Sequence, residues 1–214
     1  MAKWNDVDQH TRQLIHVPII HSPADMGSLG ESLEAAYVER FGRRHWAEQV
    51  ALVAEFWKSV KVALGELDLN YDYVDLYQDG LPVCGKELQI VTEAAAQGSE
   101  NHQLLLDMIA RGAALVGTED PRLLLEEYHN VRNALAGKSP DDRSGKHIDR
   151  QTGAQELLAK RDAYIGRRIG ETLQPGRTGI LFMGMAHKIE SYLSQDIVAI
   201  GLQLRASGAR DKNR

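Results

Sequence analysis

The chain has 214 residues, 43% apolar and 26% charged, with a net charge of −5 and a pI near 5.9. That length and composition can bury a sizeable core and exclude a disordered chain. The acidic balance, with no basic stripe, argues against nucleic acid as a partner. The longest apolar runs are too short to cross a bilayer, and the N-terminus MAKWNDVDQH lacks the apolar centre of a signal peptide. The single Cys84 excludes an internal disulfide framework and a Cys-x-x-Cys metal site. These features lead to the expectation of a cytoplasmic protein with no membrane partner, built as one domain over residues 1–214.

Taken in chain order, Leu14–Ile20 (LIHVPII) reads as a buried strand ended by His21-Ser22-Pro23, with Pro18 pointing to an edge position or a strand start. Residues Ser22–Glu34 read as a loop entering a helix, and Ser28 and Glu31 have capping-box spacing. His45–Leu67 is the clearest helix: Trp46, Val50, Val53, Trp57, Val60 and Leu64 recur every three or four residues and predict one inward face. Tyr71–Gln78 alternates like a strand and closes in Asp79-Gly80-Leu81-Pro82, where Gly supplies positive φ and Pro ends the strand.

Two helices follow over Gly85–Gln97 and Asn101–Arg111, then a short strand, Ala113–Val116, ending in Gly117-Thr118-Glu119-Asp120-Pro121. Leu123–Leu135 is helical, with Leu124, Leu125, Tyr128, Val131 and Leu135 as its inner face. Gly137–Gly153 is polar apart from Ile148 and predicts a mobile loop. When ordered, such a segment serves as a lid or as a contact between copies in a homo-oligomer. Ala154–Leu173 is the next helix, with Leu158, Ile165 and Ile169 inward and Pro175-Gly176 as its stop. Strands Ile180–Met183 and Ile197–Leu202 close the pattern, and the polar tail from residue 205 is expected to fray. Five strands separated by helices predict an α/β fold, a mostly parallel sheet with helices on both faces.

The chemistry gathers at strand ends. His21, Asp79, Glu119 and His187 each stand at or just past one, and in a parallel sheet those ends share the crevice where open α/β folds bind ligands. Two imidazoles and two carboxylates can hold a divalent metal or divide acid and base work. Each also has a structural alternative. A strand-end His is commonly a hydrogen-bonded turn residue, Asp79 before Gly80 is a turn former, and Glu119 suits a helix N-terminus. Arg161 follows the inward spacing of its helix, and an arginine at the core boundary meets a carboxylate or an anionic ligand. Tyr77 and Gln78 flank the site in sequence. The remaining histidines show no metal-ligand spacing with one another, and no partner marks Cys84 as a nucleophile.

One stretch resembles a known family. Arg161-Asp162-x-x-Ile165-x-x-Arg168-Ile169, then Gly179-Ile180-Leu181-Phe182, then Gly184-x-x-His187 is similar to the C-terminal signature of the TraB/Tiki superfamily, which includes erythromycin-esterase-like and ChaN-like proteins. An earlier Gly-x-x-His of that pattern corresponds to Pro18-Ile19-Ile20-His21, with Pro in place of Gly. The resemblance implies an α/β fold with a site built from His21, His187, Arg161 and one acid, in a group whose members include metal-dependent peptidases, esterases and haem binders.

Two readings follow. In the first, the protein is a peptidase- or esterase-like hydrolase acting on a small-molecule or peptide substrate. His21, His187 and Asp79 (or Glu119) hold a divalent metal ion that lowers the pKa of water, and Arg161 stabilises the oxyanion. A metal-free form uses His187 or Glu119 as general base. In the second, the crevice binds or senses an anionic small molecule or a haem-like ligand through Arg161 and helix N-termini, without catalysis.

Overall fold

The structure, a computed structural model, describes residues 11–135 and 146–204. Five strands, β1 (Arg12–Ile19), β2 (Val74–Gln78), β3 (Ala114–Val116), β4 (Thr178–Gly184) and β5 (Ile197–Gly201), form one sheet in the order β3-β2-β4-β1-β5. Every pairing is parallel, as the alternation of strands and helices predicts. Each strand candidate from the sequence lies in this sheet, trimmed or extended by one to three residues. Tyr71–Tyr73 forms a 3-10 turn that leads into β2.

Among the described residues, six helices accompany the sheet: α1 (Gly30–Phe41), α2 (Arg43–Gly65), α3 (Glu87–Ala96), α4 (Glu100–Ala110), α5 (Pro121–Leu135) and α6 (Lys146–Thr172). Strand alternation splits the core into two. One face presents Ile15, Val17, Val74, Leu76, Ile180 and Phe182 to Trp57 and Val60 of α2, Val91 of α3 and Leu105 and Met108 of α4. The other presents Leu14, Tyr77, Leu181 and Met183 to Ile165 and Ile169 of α6 and to Ile189. The central strands are therefore apolar on both sides, which is why β4 reads as an unbroken run. Among the described residues, no helix is long and apolar enough to cross a membrane.

Several expectations are corrected. Helix α2 buries Trp57, Val60 and Leu64, but Trp46 is only part-buried and Val50 is 44% exposed. The first half of α2 faces α1 and a cavity, so periodicity found the stripe but not what covers it. Helix α1 starts at Gly30 with Leu29 at its N-cap and no side-chain cap, in place of the predicted Ser28 box. The capping pair sits earlier, where Asp25 accepts from the Ser22 N–H at 2.5 Å in the 3-10 helix Pro23–Leu29. On α5, Leu125 is 57% exposed. On α6, Leu157 rather than Leu158 is buried. That helix also begins at Lys146, so the expected loop is helical over its last residues. Residues 137–145 and the tail from 205 lie outside the described residues.

Candidate functional site at the carboxyl edge of the sheet

The register sets the site. Ile19 of β1 pairs with Gly184 of β4, so His21 and His187 both emerge just beyond the end of that pairing. Asp79 N–H donates to the Phe182 carbonyl at 2.8 Å, extending the contact of β2 with β4 by one residue. Glu119 is delivered similarly: Pro82 and Glu119 form an isolated parallel bridge, and Val83 N–H donates to the Glu119 carbonyl at 2.9 Å. Gly80, at φ +78°, turns the chain between Asp79 and Leu81 as the sequence predicts, and its N–H donates to Glu119 Oε1 at 2.7 Å.

Asp79 is the hub. Its Oδ1 accepts from Arg161 Nη2 at 2.8 Å. Its Oδ2 accepts from the Gly184 N–H at 3.2 Å and faces two imidazoles, His187 Nε2 at 3.4 Å and His21 Nε2 at 3.8 Å. A Cβ added at Gly184 would lie 3.2 Å from that same oxygen, which accounts for glycine at this position. His187 is held from its other side, where Nδ1 lies 2.5 Å from Asp162 Oδ1 and Lys188 N–H donates to Asp162 Oδ2 at 2.8 Å. Arg161 and Asp162 are neighbours on α6. A helix turns about 100° per residue, so one serves β2 and the other serves β4.

Arg161 is enclosed. Its Nε and Nη2 donate to the two oxygens of Glu119 at 2.6 and 2.7 Å, and its Nη1 donates to Glu127 of α5 at 2.6 Å. All three nitrogens are committed to carboxylates. Glu119 is fully buried, and its oxygens take Arg161 and Gly80. The His187 side chain is 5% exposed, whereas that of His21 is 42% exposed and lines a cavity of about 800 Å³.

The charges tune one another. Burial alone would raise Asp79, but His187, His21 and Arg161 hold it well below the usual carboxylate range. Burial would lower His187, yet Asp79 and then Asp162 outweigh it and push the imidazole up to about 9. Contact with Asp79 raises His21 above its ordinary value, against burial. Burial pushes Glu119 up, and Arg161 recovers only part of the shift.

All four strand-end residues, with Arg161, therefore meet in one cluster. Tyr77 does not: its hydroxyl bonds Thr172 Oγ1 at 2.9 Å, inside the α6 core. Gln78 sits beside the cluster, its amide donating to the Asp79 carbonyl at 3.0 Å. Cys84 is exposed. Sequence reading left Asp162 and Glu127 without roles. Asp162 was signalled by standing next to Arg161, whereas nothing in the α5 pattern marks Glu127.

Among the described residues, no group of three or more His, Cys, Asp or Glu is placed so that it could hold a metal ion. Two features of the cluster nonetheless bear on metal binding. The His-to-Asp79 spacings of 3.4 and 3.8 Å exceed a hydrogen bond. Two ligands of one tetrahedral zinc, each about 2.0–2.2 Å from it, stand roughly 3.4 Å apart. Asp162 stands on the far nitrogen of His187, the place that an outer-shell carboxylate takes behind a ligating His. No protein-family model, curated protein or solved structure matches the chain.

Proposed function

We propose that the protein is a metal-dependent hydrolase of the peptidase or esterase type, with its centre at His21, Asp79 and His187. One observation carries this reading: two imidazole Nε2 atoms face a single carboxylate oxygen, with the far nitrogen of His187 fixed by Asp162. The pattern is that of metal ligands with a carboxylate behind one of them. Its place at the carboxyl edge of a parallel sheet, beside a cavity, agrees with where such folds bind substrate.

His21 Nε2, His187 Nε2 and Asp79 Oδ2 would hold the divalent ion. When bound, the ion lowers the pKa of a water nucleophile and polarises a carbonyl. Asp162 orients His187 and favours coordination through Nε2. Arg161 keeps Asp79 ionised and aimed; with its nitrogens occupied, it is a positioning residue rather than the oxyanion donor expected from the sequence. Glu119 likewise anchors Arg161 rather than acting as a base. His21, the most open member of the triad, is where substrate meets the centre. The resemblance to the TraB/Tiki superfamily agrees with this arrangement of two His, an acid and a helical Arg.

The metal-free alternative is weaker, because Glu119 is buried with both carboxylate oxygens engaged by Arg161 and Gly80. The anion- or haem-binding reading is weaker too, since Arg161 spends four of its five N–H donors on carboxylates. The test is calorimetric titration with Zn²⁺ alongside an aryl-ester and peptide panel, with and without chelator. The expected result is one zinc per chain, lost in His187→Ala and Asp79→Asn, and hydrolysis that chelator abolishes. Hydrolysis indifferent to chelator, or a folded protein that binds no zinc, contradicts the reading.

A further inference from the structure

The cavity that His21 lines is bounded by the segment after β1, by α1 and α2, and by the turn into α4. Its volume, about 800 Å³, is that of a chamber for a drug-sized molecule. Three carboxylates stand on its wall, Glu31, Glu34 and Glu100. Among the described residues lining it there is no Lys or Arg. Of the flanking cations, Arg43 reaches Glu34 only at 3.9 Å and is 81% exposed, and Lys58 lies within electrostatic reach of Glu100. The same wall carries an aromatic pair, Tyr37 and Trp46, with ring centroids 5.3 Å apart and planes inclined at 54°.

Aromatic faces and carboxylates without competing cations form the surroundings that favour an organic cation: the ring faces attract it and the carboxylates balance its charge. An anionic substrate would meet three carboxylates there, with His21 the one basic side chain among the described lining residues. The part-exposure of Trp46 and Val50 is explained as well, since both line this chamber rather than a packed core.

We propose that this cavity is the substrate chamber of the centre at His21, and that it takes an organic cation, an amine or quaternary ammonium on an apolar body, whose scissile ester or amide bond lies toward His21. The placing of the scissile bond rests on the hydrolase reading above; the preference for a cation does not.

The binding arm uses benzyltrimethylammonium and neutral benzyl alcohol as probes, measured by calorimetry on the full chain. The expected result is that the cation binds, the neutral probe binds at least roughly tenfold more weakly, and Trp46→Ala weakens the cation by roughly tenfold. The triple variant Glu31→Gln, Glu34→Gln, Glu100→Gln, which alters exposed or part-exposed positions, should weaken it similarly. Equal binding of the two probes, or cation binding untouched by both variants, overturns the proposal. The catalytic arm compares 4-nitrophenyl esters of a trimethylammonio-alkanoate, of its uncharged tert-butyl isostere and of a dicarboxylate. Selective cation binding with no ester cleaved supports the chamber and removes the hydrolase. Cleavage of all three esters at equal rates supports the hydrolase and overturns the chamber's preference.

Discussion

The two edges of the sheet both bury charge, and they do so differently. At the amino edge, Arg12 meets Asp196 with two nitrogens at 2.7 and 3.0 Å and gives its third to the Gly170 and Leu173 carbonyls at the end of α6. Arg177 meets Asp75 with two nitrogens at 2.9 and 2.8 Å and caps the Asp72 and Val74 carbonyls. Each guanidinium there has one carboxylate and spends its other donors on backbone. At the carboxyl edge, Arg161 is divided among Asp79, Glu119 and Glu127. The unmatched negative charge is directed at two imidazoles, one of them open to solvent. The amino edge is a closed set of staples. The carboxyl edge carries an excess of acceptors, which a cation or a proton must complete.

The largest effect that separates the edges is expected from Arg161→Met. Removing the guanidinium leaves Asp79 and Glu119 buried without a partner, and breaking a buried pair in this way costs about 3–5 kcal/mol. Urea unfolding measures it. Arg12→Met should cost less, about 1.5–3 kcal/mol, the scale of hydrogen bonds to charged groups, because the abandoned Asp196 side chain is 47% exposed. Equal losses at the two edges would erase the distinction drawn here.

A smaller effect tests a closed set beside the open one. Asp25 accepts from the Ser99 hydroxyl and lies 3.3 Å from His102 Nδ1, pinning the segment after β1 to the start of α4. Burial would raise Asp25, but His102, Ser99 and Ser22 lower it below its ordinary value of 3.8. The sign follows: a carboxylate with a depressed folded pKa contributes stability that is complete above 3.8 and is lost as the pH falls through the lower folded value. Asp25→Asn should therefore be less stable than wild type at neutral pH, and the gap should narrow on acidification, as followed by thermal unfolding. A gap that is constant with pH would assign the loss to packing alone.

The sheet was legible because buried parallel strands leave apolar runs bounded by turns, as in Ile180–Met183 before Gly184. The candidate cluster was legible for a related reason: in a parallel sheet, residues after different strands share one edge, so His21, Asp79, Glu119 and His187 could be grouped without coordinates. What Arg161 does there was not legible. Its inward spacing gave its direction, but its enclosure depends on Glu127, which arrives through the packing of α5 on α6. The start of α6 escaped because Lys146–Gly153 has almost no apolar residues, and hydrophobic periodicity is silent on a polar helix. Ser99 and His102 form a local helix cap, but Asp25 joins them across 74 residues of chain, a contact that carries no local signal.

The carboxyl edge is proposed to be chemical rather than structural, and His21 isolates that role, because its side chain is 42% exposed. The most direct measurement is kcat/KM of His21→Ala against wild type on an aryl ester, with unfolding free energy followed in parallel. The expected result is a fall of about a hundredfold or more, with stability changed by no more than about 0.5 kcal/mol, as for a surface substitution. Activity within about tenfold of wild type in a folded variant would contradict it.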